Sequence, residues 1–291
     1  MKYSYMPGCS LLSTARGYDV STKAVMKALG QELIELEDWN CCGANAIESV
    51  SFLLSLALPA RNLALAEQEN RDMVTSCSSC FLNHFKVEQR LQREPSMRKK
   101  LDEILAAIGL NYRGKVRVRH LLDVIANDIG TGAVKNRVKR QLSGLKVVPY
   151  YGCQTVRPYG EYDGPYLPTS MDNLIEAVGA EPFPYLWKTT CCGGVLMTTE
   201  KPIGSKLIGT LINDAKGADC IVTVCPMCQM NLDAYQGEIS EQTGGHTHIP
   251  VLFLTQLLGL AFGLPDEDLL LNQNIVPISG LLRQLCEVRN D

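Results

Sequence analysis

The chain has 291 residues, 46% of them hydrophobic; at about 150 residues per domain this predicts two lobes with real cores and rules out a disordered polypeptide. The formal charge of -3, from 28 Lys and Arg against 31 Asp and Glu, supplies no basic field for nucleic acid or an anionic membrane surface, which argues against both as partners. Twelve cysteines are the anomaly. Residues 1–9 lack the apolar run of a signal peptide, so a cytoplasmic protein is expected, and there thiols serve metal ligation or redox chemistry more often than disulfides.

Taken in chain order, short apolar runs at 2–6, 33–36 and 73–76 read as strands, and 22–29, 58–68 and 81–91 have helical spacing. Basic stretches at 93–100 and 135–140 read as solvated helical faces near an inter-lobe connection, with partner docking as the sharper alternative. The second half repeats the pattern, with strands near 146–151 and 221–224 and helices near 171–178 and 205–215. Strand alternating with helix predicts an α/β fold of two pseudo-symmetric lobes, 1–143 and 144–291, each a small parallel sheet flanked by helices. Sites on such sheets lie beyond the strand carboxyl ends, where Cys9, Cys77, Cys153 and Cys225 all fall. The apolar run 249–264 is too short to span a bilayer and reads as a buried or docking helix, so no transmembrane segment is expected.

The repeat extends to the cysteines. In the first half, 31 residues separate Gly8-Cys9 from Cys41-Cys42-Gly43, and 34 separate Cys42 from Cys77-Ser78-Ser79-Cys80. In the second, 37 residues separate Gly152-Cys153 from Cys191-Cys192-Gly193-Gly194, and 32 separate Cys192 from Cys225-Pro226-Met227-Cys228. Each half also ends with a His, His120 or His248, ahead of an apolar run. Only Cys220, expected to be a buried small hydrophobe, and Cys286, for which no partner is apparent, stand outside the scheme.

Five thiols per half constrain the chemistry. Zinc takes four ligands and leaves one thiol over in each copy. A disulfide between neighbours such as Cys41 and Cys42 would have to close across a Cα separation of about 3.8 Å, shorter than disulfides adopt. A thioredoxin-like dithiol uses no upstream Cys pair. A multi-iron cluster can accept thiolates from three loops, and Gly8, Gly43, Gly152 and Gly193 permit the close backbone approach this needs. His84, one helical turn after Cys80, is a candidate to donate a hydrogen bond or a proton. His120 and His248 read as structural, and His246 is uninformative.

These motifs resemble the CCG-domain proteins, most closely the stand-alone B subunit of heterodisulfide reductase, over residues 1–263. The resemblance implies two noncubane [4Fe-4S] clusters, one on Cys9, Cys41, Cys42, Cys77 and Cys80, the other on Cys153, Cys191, Cys192, Cys225 and Cys228. It further implies an iron–sulfur catalytic subunit that reduces or forms a small-molecule or carrier-bound disulfide in two one-electron steps. The chain has neither a ferredoxin Cys run nor a dinucleotide fingerprint. Electrons are accordingly expected from a ferredoxin-like C subunit and a flavin-bearing A subunit, with the run from 250 to 264 as a candidate docking helix. Two other readings stand beside this one: a CCG electron-transfer subunit for lactate, glycolate or quinone-linked succinate oxidation, and a zinc-stabilised assembly protein without catalytic activity.

Overall fold

The computed structural model describes residues 1–44, 46–243 and 248–287. Eight strands form two four-stranded parallel sheets. The first is ordered β2-β1-β3-β4, from β1 (Lys2–Tyr5), β2 (Glu32–Glu35), β3 (Met73–Thr75) and β4 (Val118–His120). The second is ordered β6-β5-β7-β8, from β5 (Lys146–Tyr150), β6 (Glu181–Pro182), β7 (Cys220–Thr223) and β8 (Val251–Phe253). The two orders are the same topology written twice, as the repeat requires. Parallel strands must be joined by crossovers, and helices supply them.

In the first half these helices are α1 (Arg16–Ala28), α2 (Ile47–Val50), α3 (Phe52–Gln68), α4 (Ser78–Arg93), α5 (Pro95–Ala107), α6 (Leu121–Asp123) and α7 (Gly130–Arg137). The second half has α8 (Cys153–Val156), α9 (Ser170–Ala177), α10 (Leu196–Thr199), α11 (Lys201–Asp214), α12 (Pro226–Ala234), α13 (Gln236–Thr243), α14 (Leu254–Ala261) and α15 (Ser279–Glu287). The basic stretches lie on the exposed end of α4, on α5 and on the end of α7, as solvated faces do.

Three expectations need correction. The run 249–264 is not one helix: β8 takes Val251–Phe253, and α14 follows. Every residue of α14 is buried, so it belongs to the core and offers no docking surface. His120 and His248 do not correspond. His120 ends β4, paired with Thr75, and its counterpart is Phe253, paired with Thr223 in β8; His248 is exposed and precedes the strand. The shared feature was the apolar strand, and the His ahead of it in the second half was coincidental. His246 lies outside the described residues, as does the Cys286 side chain.

The two sheets share a core. The helix α14 of the second half packs on α1 of the first, burying Tyr18, Val25 and Met26 with Leu254, Leu257 and Leu258. Fully burying a side chain of this size contributes roughly 1.5–3 kcal/mol, so the contact fixes the lobes firmly. Inside it, Ser21 Oγ and Thr255 Oγ1 satisfy one another at 2.6 Å. Two aromatic stacks cross between the halves in reciprocal fashion: Tyr18 lies on Phe253 with ring centroids 4.1 Å apart, and Tyr162 lies parallel to His120 at 6.4 Å. Cys220 is fully buried in β7, in line with its reading as a small hydrophobe. Among the described residues no helix is long and apolar enough to cross a membrane.

Candidate metal centre

Each sheet delivers its cysteines at the carboxyl ends of its central strands. Cys77 follows β3 and Cys225 follows β7, each as the residue that opens a helix, so Cys80 and Cys228 sit one turn into α4 and α12. Cys9 and Cys153 open a 3-10 turn and the short helix α8 just beyond β1 and β5. Each is preceded by a glycine in backbone space essentially closed to other residues, Gly8 at φ 82°, ψ 160° and Gly152 at φ 72°, ψ 173°. The glycines also make room: a Cβ on Gly8 would lie 3.0 Å from Cys80 Sγ, and one on Gly152 2.9 Å from Cys228 Sγ. Gly43 and Gly193, after the Cys pairs, likewise have positive φ.

All ten candidate thiols are brought into two groups. In the first, Cys9 and Cys41 sulfurs are 3.9 Å apart, and hydrogen bonding runs on from Cys41 to Cys42, Cys80 and Cys77. In the second, Cys153 contacts Cys191, and Cys228 contacts both Cys192 and Cys225. Backbone amides face the sulfurs too, Gly43 N to Cys41 and Ala44 N to Cys42, each at 3.4 Å. Hydrogen bonds from neighbouring thiols hold some members in the thiolate form: Cys42 is pushed down by Cys41, Cys191 to about 6 by Cys153, and Cys225 to about 6 by Cys228. Their donors Cys41, Cys153 and Cys228 are pushed up in turn. Alternating protonation of this kind is how crowded thiols avoid placing like charges side by side.

The donor set fits a group larger than one ion. The sulfurs contact one another within each group, as a run of five in the first and as a pair and a trio in the second, and among the described residues no three His, Cys, Asp or Glu side chains form a single-ion site. This gives the zinc reading no support. Sulfur-only donors from three loops, cradled by glycines with no Cβ, suit an iron–sulfur cluster.

Two asparagines that the cysteine motifs do not single out complete the frame. Asn83 Nδ2 donates to the carbonyl oxygens of Cys42 (3.2 Å) and Ala44 (2.8 Å). Asn231 Nδ2 does the same for Cys192 (3.0 Å) and Gly194 (2.9 Å). Each ties the Cys-Cys-Gly turn to the helix of its Cys-x-x-Cys. A signal is nonetheless present in the sequence: both halves read Cys-x-x-Cys-x-x-Asn.

The loops that carry the two thiol groups meet at the junction of the lobes. Ser78 Oγ, next to Cys77, lies 2.6 Å from Thr155 Oγ1, two residues after Cys153, and Ser79 donates to Gln154 Oε1. Tyr18 is buried beside both Cys77 and Cys225, its hydroxyl donating to Val224 O at 3.3 Å. A cavity of about 260 Å³ opens here, lined by Ser79 and Gln154, by the second group's cysteines, and by apolar Val195, Leu196 and Met227. His84 lies wholly buried, with Nδ1 2.7 Å from Cys80 O and Nε2 3.1 Å from Asn62 Nδ2. Burial lowers its pKa.

Comparison with known proteins agrees with this duplication. A family model described as a cysteine-rich domain, CCG, matches twice, at residues 3–84 and 147–233. The chain is 36% identical over 284 residues to the 8-methylmenaquinol:fumarate reductase membrane anchor subunit of Wolinella succinogenes, covering 96% of this chain and 99% of that one. It is 31% identical over 296 residues to an Archaeoglobus profundus protein described as like the B subunit of heterodisulfide reductase, covering 99% of each. It is also 31% identical to the B subunit of a ferredoxin/F(420)H(2)-dependent CoB-CoM heterodisulfide reductase of Methanosarcina acetivorans, over 99% of this chain and 98% of that one. A hypothetical protein from Helicobacter pylori shares the fold at a TM-score of 0.77 and 16% identity, with 96% of this chain matching 52% of that one.

Proposed function

The chain belongs to the CCG family of cysteine-rich domain proteins, and from that premise we propose that it is the iron–sulfur subunit of a heterodisulfide reductase-like complex, acting on a disulfide. The observation that carries this reading is a pair of five-thiol groups whose loops meet at one lobe junction, with a small cavity lined by the thiols of the second. The lobe boundary is taken between residues 143 and 144. Cys9, Cys41, Cys42, Cys77 and Cys80 hold one noncubane [4Fe-4S] cluster, and Cys153, Cys191, Cys192, Cys225 and Cys228 hold the other. Bound there, the pair would supply electrons one at a time, two in all being needed to convert a disulfide and two protons into two thiols.

The protein's own groups bind and orient. Val195, Leu196 and Met227 offer an apolar wall to a thioether or alkyl chain, while Ser79 and Gln154 can fix polar substituents once their mutual bond opens. Electrons arrive from a ferredoxin-like C subunit and a flavin-bearing A subunit. The deciding experiment is iron and acid-labile sulfide per chain after anaerobic purification, together with turnover of disulfide substrates by the reconstituted complex. About eight of each per chain is the expected result for two four-iron clusters. A colourless, iron-free protein carrying zinc would instead support the assembly role.

A second reading has its own observation, the 36% identity to a subunit of a quinol-linked fumarate reductase. In that case the same thiol groups pass electrons between a quinol and a flavoprotein partner. Oxidation of a quinol analogue by the intact complex, with no turnover of disulfides, would select it.

A further inference from the structure

The hydrogen-bond roles around His84 follow from neighbouring groups whose own roles are fixed. Asn40 N–H can only donate, so Asn62 Oδ1, 2.9 Å away, is the acceptor, and this sets the orientation of the Asn62 amide. Its Nδ2 then carries two hydrogens facing Asn40 O at 2.8 Å, His84 Nε2 at 3.1 Å and, more distantly, Met6 Sδ at 3.6 Å, and as an amide nitrogen it cannot accept from Nε2. Nε2 must accept. On the other side of the ring, Nδ1 faces the carbonyl of Cys80 at 2.7 Å and must donate. Both ring nitrogens are therefore engaged in the Nδ1–H neutral form, and a second proton on Nε2 would set N–H against N–H in a wholly buried site.

We propose that His84 is a positioning residue and not an acid: it orients Asn62, Asn62 clamps both polar groups of Asn40, and the Cys41-Cys42 segment is thereby held against Cys80. The second lobe supports the role by replacing the device. The position of His84 is taken there by Leu232, and that of Met6, whose sulfur is 3.6 Å from Asn62 Nδ2, by Tyr150. The Tyr150 hydroxyl donates to Thr190 O at 2.6 Å, and Thr190 precedes Cys191 as Asn40 precedes Cys41. Both lobes thus pin the peptide just before the Cys pair, one through an imidazole and amide relay, the other through one phenol.

This role rests on the ligation proposed for Cys41 and Cys42, but its test does not depend on bound iron. Cys42 is buried, with 2% of its surface exposed, so loosening its segment shows as reactivity. The full-length chain, prepared without iron, is alkylated with iodoacetamide and the rate at each cysteine followed by mass spectrometry. His84→Leu should raise the rate at Cys42 about tenfold or more while Cys192, in the other lobe, keeps its wild-type rate. His84→Gln, whose amide can donate to Cys80 O and accept from Asn62, should restore protection at Cys42.

Wild-type protection of Cys42 in His84→Leu overturns the proposal, as does loss of protection at Cys42 in His84→Gln. If His84→Leu unfolds, exposing Cys192 as well, the His84→Gln result still decides. In the complex assembled with iron, a proton-donating His84 would show as a lost limb of the pH–rate profile in His84→Gln with iron content intact, and that outcome also overturns the proposal. Absence of iron from the wild-type protein would refute the cluster assignment and leave the labelling result standing.

Discussion

The two lobes carry the same backbone and the same thiols, yet they secure them differently. Asn83 and Asn231 are interchangeable, as are Gly8 and Gly152, because each meets a demand of the main chain that few side chains can satisfy. Where only a packed volume or one hydrogen bond is needed, the lobes have diverged: His84 opposite Leu232, Met6 opposite Tyr150, Glu88 opposite Gln236, and His120 opposite Phe253. The lesson is that constraint falls on the loops that shape each thiol group, and the supporting layer is free to solve the same problem twice.

Substitution at matched positions tests that view, and the largest effect belongs to the thiols. Cys42→Ala and Cys192→Ala should each remove about half the iron and abolish turnover, because both halves of a two-electron reaction are required. If either variant retains full iron, the ligand assignment in that lobe is wrong. Next come the glycines. Gly8→Ala and Gly152→Ala each force a side chain into closed backbone space and against a sulfur, at a cost on the order of 1–3 kcal/mol. Each should reduce iron in its own lobe alone, as counted in the background of the opposite cysteine variant.

The Glu88 and Gln236 pair makes a pH prediction. Gln236 Oε1 accepts from Ile249 N and Glu88 from Val118 N, but burial pushes the Glu88 carboxyl up to about 8. The folded state therefore holds this proton more tightly than the unfolded chain does. Its contribution is complete below the ordinary carboxyl range and is lost as pH rises through about 8. Glu88→Gln should flatten the fall in urea midpoint between pH 5 and 8, with a gain on the order of 1–3 kcal/mol at the alkaline end. Parallel pH profiles for both proteins would show that Glu88 is better solvated than the structure has it.

The smallest effect distinguishes the two crossing tyrosines. Tyr18 donates to Val224 O, whereas the buried Tyr162 hydroxyl has no hydrogen-bond partner among the described residues. Tyr18→Phe should cost about 1 kcal/mol and Tyr162→Phe nothing, or should stabilise, by thermal or denaturant unfolding. Equal losses would mean that an ordered water satisfies Tyr162.

Much of this was legible in the sequence because the repeat is written in cysteine and glycine, residues whose spacing translates directly into loop geometry. Five strands and the helices α1, α3, α4, α9 and α11 followed from short β-branched and aromatic runs alternating with amphipathic ones, whereas the two-residue β6 left no such run. Three further features were not legible. β4 and β8 are three-residue strands that run straight into helices, so their apolar residues merge with the helical pattern that follows. His248 owed its apparent match with His120 to that same merging. The roles of Asn62 and His84 depend on contacts between α3, α4 and the loop before Cys41, and no local periodicity encodes such a meeting.

The packing of α14 on α1 bears on biosynthesis. A nascent chain that has emerged only through α7 presents α1 without the cover of α14, which is complete only once residue 261 has left the ribosome. The first lobe thus waits, unfinished, on the last helices to be translated.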